Sequence, residues 1–209
     1  MNGLISEQKT NRIYLQILDG SLVQKSKIEK EGYEVFKSID PKKKETHVSW
    51  IKRYNGIEAF IDSVEWYSSF LPDGTNLAGW KVFFNADGQN VSLQLPITSV
   101  AASRFMKLAE NIDYSKPVTV KVWKDPNERT AFLVSQDSQT VKQKYTKDNP
   151  NGLPEPKQRA TGKWDYQDQM DFLVEVMNDV VIPRIDAAAY ARGVQGFNSS
   201  REDDSDVPF

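Results

Sequence analysis

A chain of 209 residues, 39% hydrophobic and 27% charged, has the composition of an ordinary globular domain with appendages, which excludes wholesale disorder and fibrous repeats. It contains no Cys and a single His, His47. Disulfide scaffolds, thiol catalysis, iron–sulfur clusters and multi-His metal sites are therefore excluded, and any Ser-His-Asp triad would have to use His47.

The net charge of −2 hides an uneven distribution. Residues 1–141 carry 18 Lys/Arg against 17 Asp/Glu, residues 142–163 six against two, residues 164–194 two against six, and residues 195–209 one against four. A near-neutral body, a basic connecting segment and an acidic end imply different partners for each. Met1 to Glu7 lack the basic-then-apolar pattern of a secretory signal, and no apolar run approaches the about 18 residues that cross a bilayer. The expectation is a soluble protein of the cytoplasm.

In chain order, Arg12–Leu18 alternates Ile13, Leu15 and Ile17 with Arg12, Tyr14 and Gln16, the period of a half-buried strand. Asp19-Gly20 is a hairpin signal, with Leu22–Ile28 as the returning strand. Lys42-Lys43-Lys44 after Pro41 reads as a solvated turn. His47–Arg53 and Ile57–Tyr67 are strand-like on either side of Asn55-Gly56, which marks either a hairpin turn or the bend of one long curled strand. Ala78–Phe84 and Val91–Leu95 flank a second hairpin turn at Ala86-Asp87-Gly88. A helix follows, capped by Thr98 or Ser99, with Ala101, Phe105, Leu108 and Ile112 at helical spacing and an end near Asn111. Val118–Trp123 and Thr130–Val134 close the body through Asp125-Pro126-Asn127.

Antiparallel strands, one helix, then two more strands is the order of a five-stranded Greek-key barrel of the OB type, although an α+β sandwich shares it. The expected organisation is a mainly β OB-type nucleic-acid-binding domain over 1–140, with an N-terminal hairpin at 12–28 and a barrel core at about 46–135. A basic, Pro-containing flexible arm over 141–164, a C-terminal helix over 165–193 and a disordered acidic tail over 194–209 complete it. In that helix Met170, Leu173, Val174, Met177 and Val181 mark an apolar face, which Phe172, Val176 and Val180 widen. Pro183 must kink or restart it. So wide an arc predicts packing on a second subunit, giving a homodimer, or closure over one end of its own barrel.

Signatures of catalysis are poor: there is no phosphate-binding Gly-rich loop, no Gly-x-Gly-x-x-Gly and no His-Glu-x-x-His. Asp62, Glu65 and Asp87 could be imagined as the metal-binding carboxylates of a nuclease or resolvase; the simpler reading of Asp62 and Glu65 is a solvated strand face. A structural or adaptor protein is the third reading. The strand faces say more. Val118, Val120 and Val122 claim the core, which turns Thr119, Lys121 and Trp123 outward, followed by Lys124. Lys81 and Phe83 share the face opposite Trp80, Val82 and Phe84, with a place in the core, under the N-terminal hairpin or the C-terminal helix, as the equal alternative for Phe83 and for Trp50. Arg12 and Tyr14 share another outward face, and Trp50, Lys52 and Tyr54 alternate together beside Arg53. Trp66 and Phe60 are assigned to the core. Rings interleaved with cations on a sheet suit a sequence-tolerant single-strand site, where bases stack on the rings and cations follow the phosphates. Lys142, Lys144 and Lys147 of the arm are added as phosphate contacts. No metal or cofactor is expected.

The chain ends Glu202-Asp203-Asp204-Ser205-Asp206-Val207-Pro208-Phe209. Carboxylates attract a basic surface, Pro208 limits the conformations lost on binding, and Phe209 offers a ring beside the terminal carboxylate. This ending resembles the acidic tip of bacterial and bacteriophage single-stranded DNA-binding proteins, whose tails finish in several Asp followed by aliphatic-Pro-Phe. The resemblance implies single-stranded DNA as the ligand, and recruitment of replication, recombination and repair proteins through Asp203, Asp204, Asp206, Val207, Pro208 and Phe209. The Lys/Pro-rich linker and the long helix before the tail depart from the cellular pattern and point to a divergent, phage-encoded member acting in the host cytoplasm, while the interrupting Ser205 and Val207 in place of the commoner Ile are mild changes.

Overall fold

The computed structural model describes residues 12–39, 44, 46–70 and 74–193. The acidic tip, and all of Lys42-Lys43-Lys44 except Lys44, lie outside the described residues. The elements of the N-terminal half are β1 Ile13–Leu18, β2 Ser21–Ser26, β3 Glu34–Ile39, β4 Thr46–Tyr54, β5 Ile57–Phe70, β6 Asn76–Ala86 and β7 Gln89–Pro96. Then follow α1 Val100–Leu108, β8 Val118–Lys124, β9 Thr130–Gln136, and the short β10 Gln139–Thr140, β11 Lys157–Gln158 and β12 Trp164–Asp165. The last elements are α2 Gln167–Val176 and α3 Ile182–Ala191, joined by a π-helical turn at Met177–Val181. No helix among the described residues is long and apolar enough to cross a membrane.

Ten strands form one mixed sheet in the order β10-β9-β8-β5-β6-β7-β1-β2-β4-β3, while β11 and β12 pair separately. The two hairpin signals fold as read: Asp19 and Gly20, at φ 52° and 70°, join β1 to β2, and Asp87 and Gly88, at φ 49° and 85°, join β6 to β7. Asn55-Gly56 is not a hairpin, because β4 pairs with β2 and β3 while β5 pairs with β6 and β8. The chain bends there from one set of strands to the next. Gly56 is required at the bend because a Cβ would stand 2.8 Å from the Val120 carbonyl oxygen.

The sheet is open, which corrects the expected closed barrel. Closure would join β7 to β9, but the free edge of β7 is taken by β1, which runs parallel to it with Ile13 beside Val91 and Leu15 beside Leu93. The β1–β2 hairpin fills the gap. Its turn reaches β8 through an ion pair from Lys124 Nζ to Asp19 Oδ1 at 2.6 Å, and a Cβ on Gly20 would meet the Lys124 backbone nitrogen at 2.8 Å.

Inward residues of alternating strands, among them Leu15, Leu22, Ile61, Val64, Trp80, Val82, Leu93 and Val120, bury against Phe105, Met106 and Ile112 of the α1 region. Ser99 caps α1, its Oγ accepting the Ala102 amide at 3.1 Å. Trp66 departs from its expected core position: it stands 45% exposed, edge-on to buried Trp80 with ring centroids 5.0 Å apart.

The C-terminal helix lies on this same core of the open sheet, with no closed barrel whose end it could cap. Leu173, Met177, Val181, Ile185 and Ala189, each four residues after the last, are all buried. A four-residue step overshoots an α-helical turn by about 40°, so such a stripe would drift around a uniform helix. The π turn, with the Ile182 amide reaching back to the Met177 carbonyl, turns less per residue and recovers part of the drift. It sits directly before Pro183, which has no N–H to donate and restarts the helix as α3.

Two polar networks fasten the closing segments. Arg192 Nη2 donates to the Ile61 carbonyl and to Asp62 Oδ1, both at 2.9 Å, where the register of β5 and β6 shifts. Asp62 is therefore buried and paired, not a solvated strand residue. Glu110 accepts from both Lys144 Nζ and Tyr145 Oη, and Tyr145 is itself in the core. The segment read as a free basic arm is thus laid along the body: Lys144 N donates to the Lys107 carbonyl at 2.8 Å and Asn111 Nδ2 to the Lys142 carbonyl at 2.9 Å.

Arg192→Ala leaves the Asp62 carboxylate buried without its partner and is expected to cost about 3–5 kcal/mol in urea unfolding, most of it recovered when Asp62→Asn is added. Burial of Glu110 raises its pKa, but the Lys144 and Tyr145 hydrogen bonds outweigh this, so its pKa is lowered from the ordinary 4.5. Its contribution is therefore full above about pH 4.5 and is lost as pH falls through the lower, folded value. Glu110→Gln should flatten that acid limb of the stability curve.

Candidate nucleic-acid interface

Because side chains alternate along each strand, residues between the core positions share the opposite face. In register across β5, β6, β7 and β1 stand Ser63, Phe83, Ser92 and Tyr14. The next row holds Glu65, Lys81 and Gln94, and Gln16 Nε2 donates to Gln94 Oε1 at 3.2 Å. Through Val23 of β2 this row reaches Arg53 of β4. Small Ser63 and Ser92 on either side of Phe83 leave room for its ring, which the Arg12 guanidinium covers at 4.9 Å from the centroid. The two hydroxyl oxygens are buried with no hydrogen-bond partner among the described residues. Lys81 Nζ lies 5.9 Å over the Tyr67 ring.

This face brings together Arg12, Tyr14, Lys81, Phe83 and Arg53 of the residues read from the sequence. They are not equivalent. Tyr14 is exposed, whereas Phe83 is only 6% exposed and serves as the floor beneath Arg12, so a base stacking on it would have to displace that guanidinium. Arg53 Nε is engaged by Glu34 Oε1 at 2.7 Å. Trp50, Lys52 and Tyr54 fall on the other side of the sheet: Tyr54 is opposite Leu22 and Lys52 opposite Gln24, the side on which Leu22 enters the core. There Lys52 Nζ lies 5.5 Å over the Tyr54 ring.

Lys121 and Trp123 do face outward on β8, as the alternation requires. Trp123 stands opposite Ala131, too small to cover it, and is 43% exposed. β5, β6 and β7 lie between this pair and Tyr14. Lys124 is held by Asp19 and Glu128, whose hydrogen bonds raise its pKa, and Lys144 by Glu110, so both serve structure first. Lys142 and Lys147 are exposed.

Two contributors were not read from the sequence. Tyr67 extends the ring set along β5, and Lys25 of β2, opposite Ile51, shares the side of Val23 and Arg53. Burial pushes the Lys25 ammonium pKa down, so an approaching anion would relieve a desolvated cation. Alternation outward from Val23 was the available signal for Lys25. The carboxylates imagined for a nuclease are not assembled: Asp62 is bound by Arg192, Glu65 stands opposite Lys81, and Asp87 occupies the hairpin turn. Among the described residues no cluster of three or more His, Asp or Glu is disposed to hold a metal.

Two substitutions separate floor from surface. Phe83→Ala should cost about 3–5 kcal/mol in urea unfolding, as for a buried ring, whereas Tyr14→Ala should stay within about 0.5 kcal/mol of the parent. Comparison of the chain with protein-family models, with curated proteins and with solved structures finds no match.

Proposed function

We propose that this chain is a non-enzymatic single-stranded DNA-binding protein that coats and protects the strand in phage replication, recombination or repair. The observation that carries the reading is the face formed by Arg12, Tyr14, Lys25, Tyr67 and Lys81, where rings and cations from neighbouring strands lie side by side. Such a face binds by stacking and by neutralising phosphates, and needs no base-specific contact.

The strand order supports the same reading. β9-β8-β5-β6-β7, with α1 between β7 and β8, is the order of an OB-type unit in which β5 is the first strand and β9 the fifth. OB folds bind oligonucleotides across their second and third strands. Here those are β6 and β7, which carry Lys81, Phe83, Ser92 and Gln94. The β1–β2 hairpin then stands in for barrel closure and widens the binding face. Recruitment of replication and repair proteins by the acidic tip, and assembly as a homodimer, complete the proposal.

A salt titration of binding to labelled oligonucleotides tests it. Affinity for single strands should depend little on sequence and fall with salt at a log–log slope of about −0.7 per phosphate neutralised. Tyr14→Ala should cost about 1–3 kcal/mol of binding. Equal affinity for duplex and single strand would falsify the stacking mechanism.

A further inference from the structure

Away from the Tyr14 face, two cavities meet along α1. One, of about 510 Å³, lies between α1 and α2 and is lined by Ser103, Arg104, Lys107, Tyr166, Met170 and Leu173 among others. The second, of about 540 Å³, lies against β9 and includes Arg104, Trp123, Leu133, Lys142 and Gln143. Arg104 and Gln143 line both, so the two form a single groove. β10 pairs with Ser135 and Gln136 at the end of β9, and Arg104 Nη1 reaches the Phe132 carbonyl at 3.4 Å along the remaining edge.

The lining is one-sided in charge. It contains three cations, Arg104, Lys107 and Lys142, and no Asp or Glu among the described residues. Carboxylates that neighbour lining residues in sequence are engaged: Asp165 pairs with Arg159, Asp168 with Lys157, and Asp171 accepts from Gln167 Nε2, while Glu110 pairs with Lys144. Lys107 is desolvated by its surroundings, which disfavours its charged form until an anion arrives. An exposed ring stands at each end, Trp123 at the β9 cavity and Tyr166 at the helical one. The volumes fall in the range of small-molecule sites. A polyanion carrying flat apolar groups all along its length matches this lining; an acidic peptide such as residues 202–209 would use the cations but has one ring, Phe209, for the two that stand here.

We propose that this groove is a second leg of the single-strand path, which rests on the function proposed above. The strand passes Trp123, runs over Arg104 and Lys107, and stacks again on Tyr166. Residues 43 positions apart in sequence are thereby joined into one track.

The test measures binding of the full chain to oligo(dT) of increasing length by fluorescence anisotropy, for the parent, Lys107→Gln and Tyr166→Ala. For strands long enough to pass the sheet face, Tyr166→Ala should lose about 5- to 100-fold in affinity. Lys107→Gln should lower the salt slope by about 0.7. Thermal melting identifies any variant that has lost its fold, and Tyr166, being exposed, is the one that must retain it. Unchanged long-strand affinity in a folded Tyr166→Ala overturns the groove while leaving the sheet-face reading intact. Absence of binding by the parent at every length overturns both. A labelled peptide of residues 202–209 supplies the other occupant: if the variants lose the peptide but keep the oligonucleotide, the groove is a peptide site and the proposal fails.

Discussion

The parallel pairing of β1 with β7 is the constraint from which the rest of the molecule follows. It consumes the edge that a barrel would use to close, so the sheet stays open. It also lays Tyr14 beside Ser92 and brings Gln16 to Gln94, adding a strand to the outward face carried by β5, β6 and β7. Parallel strands need a long connection, and here it is most of the N-terminal half: β2, β3, β4, β5 and β6 all intervene between the two partners. The hairpin that results is pinned to β8 by Lys124 and Asp19, the point where hydrogen-bonded closure is replaced by an ion pair. With both groups partly exposed, that pair contributes little by itself. The core beneath it, where Leu15 and Leu22 join the main cluster, holds the hairpin in place.

The cations of the sheet and the helices are held in different ways. Lys124, Lys144, Arg53 and Arg192 each have a carboxylate partner, and two of them fasten the ends of the structure. Lys25 and Lys107 are desolvated instead, and Lys81 and Arg12 lie over rings. The overall charge of −2 conveys none of this. Local charge follows from where carboxylates are placed: Glu110, Asp165 and Asp168 are drawn into pairs, and among the described residues no acid lines the cavity between α1 and α2.

Much of the local structure was determined by sequence alone. Asp19-Gly20 and Asp87-Gly88 dictated their hairpins because the backbone there needs positive φ, and Ser99 set the start of the first helix through capping chemistry. Alternating Val118, Val120 and Val122 correctly turned Trp123 outward, and Pro183 announced the restart of the last helix. Tertiary structure decided what these elements became. Alternation assigns two faces to a strand without saying which one the core will claim, so Trp50, Lys52 and Tyr54 fell on the side of Leu22. Trp66 emerged because β5 runs on past the end of the core, and Phe83 was buried because Arg12 closed over it. Asp62 looked like a solvated carboxylate until Arg192, 130 residues away, was folded against it. Composition, capping and turn chemistry act within a few residues and are written in the chain. Strand partners, charge pairs and the groove joining Trp123 to Tyr166 depend on distant segments meeting, and only the folded backbone fixes which of them do.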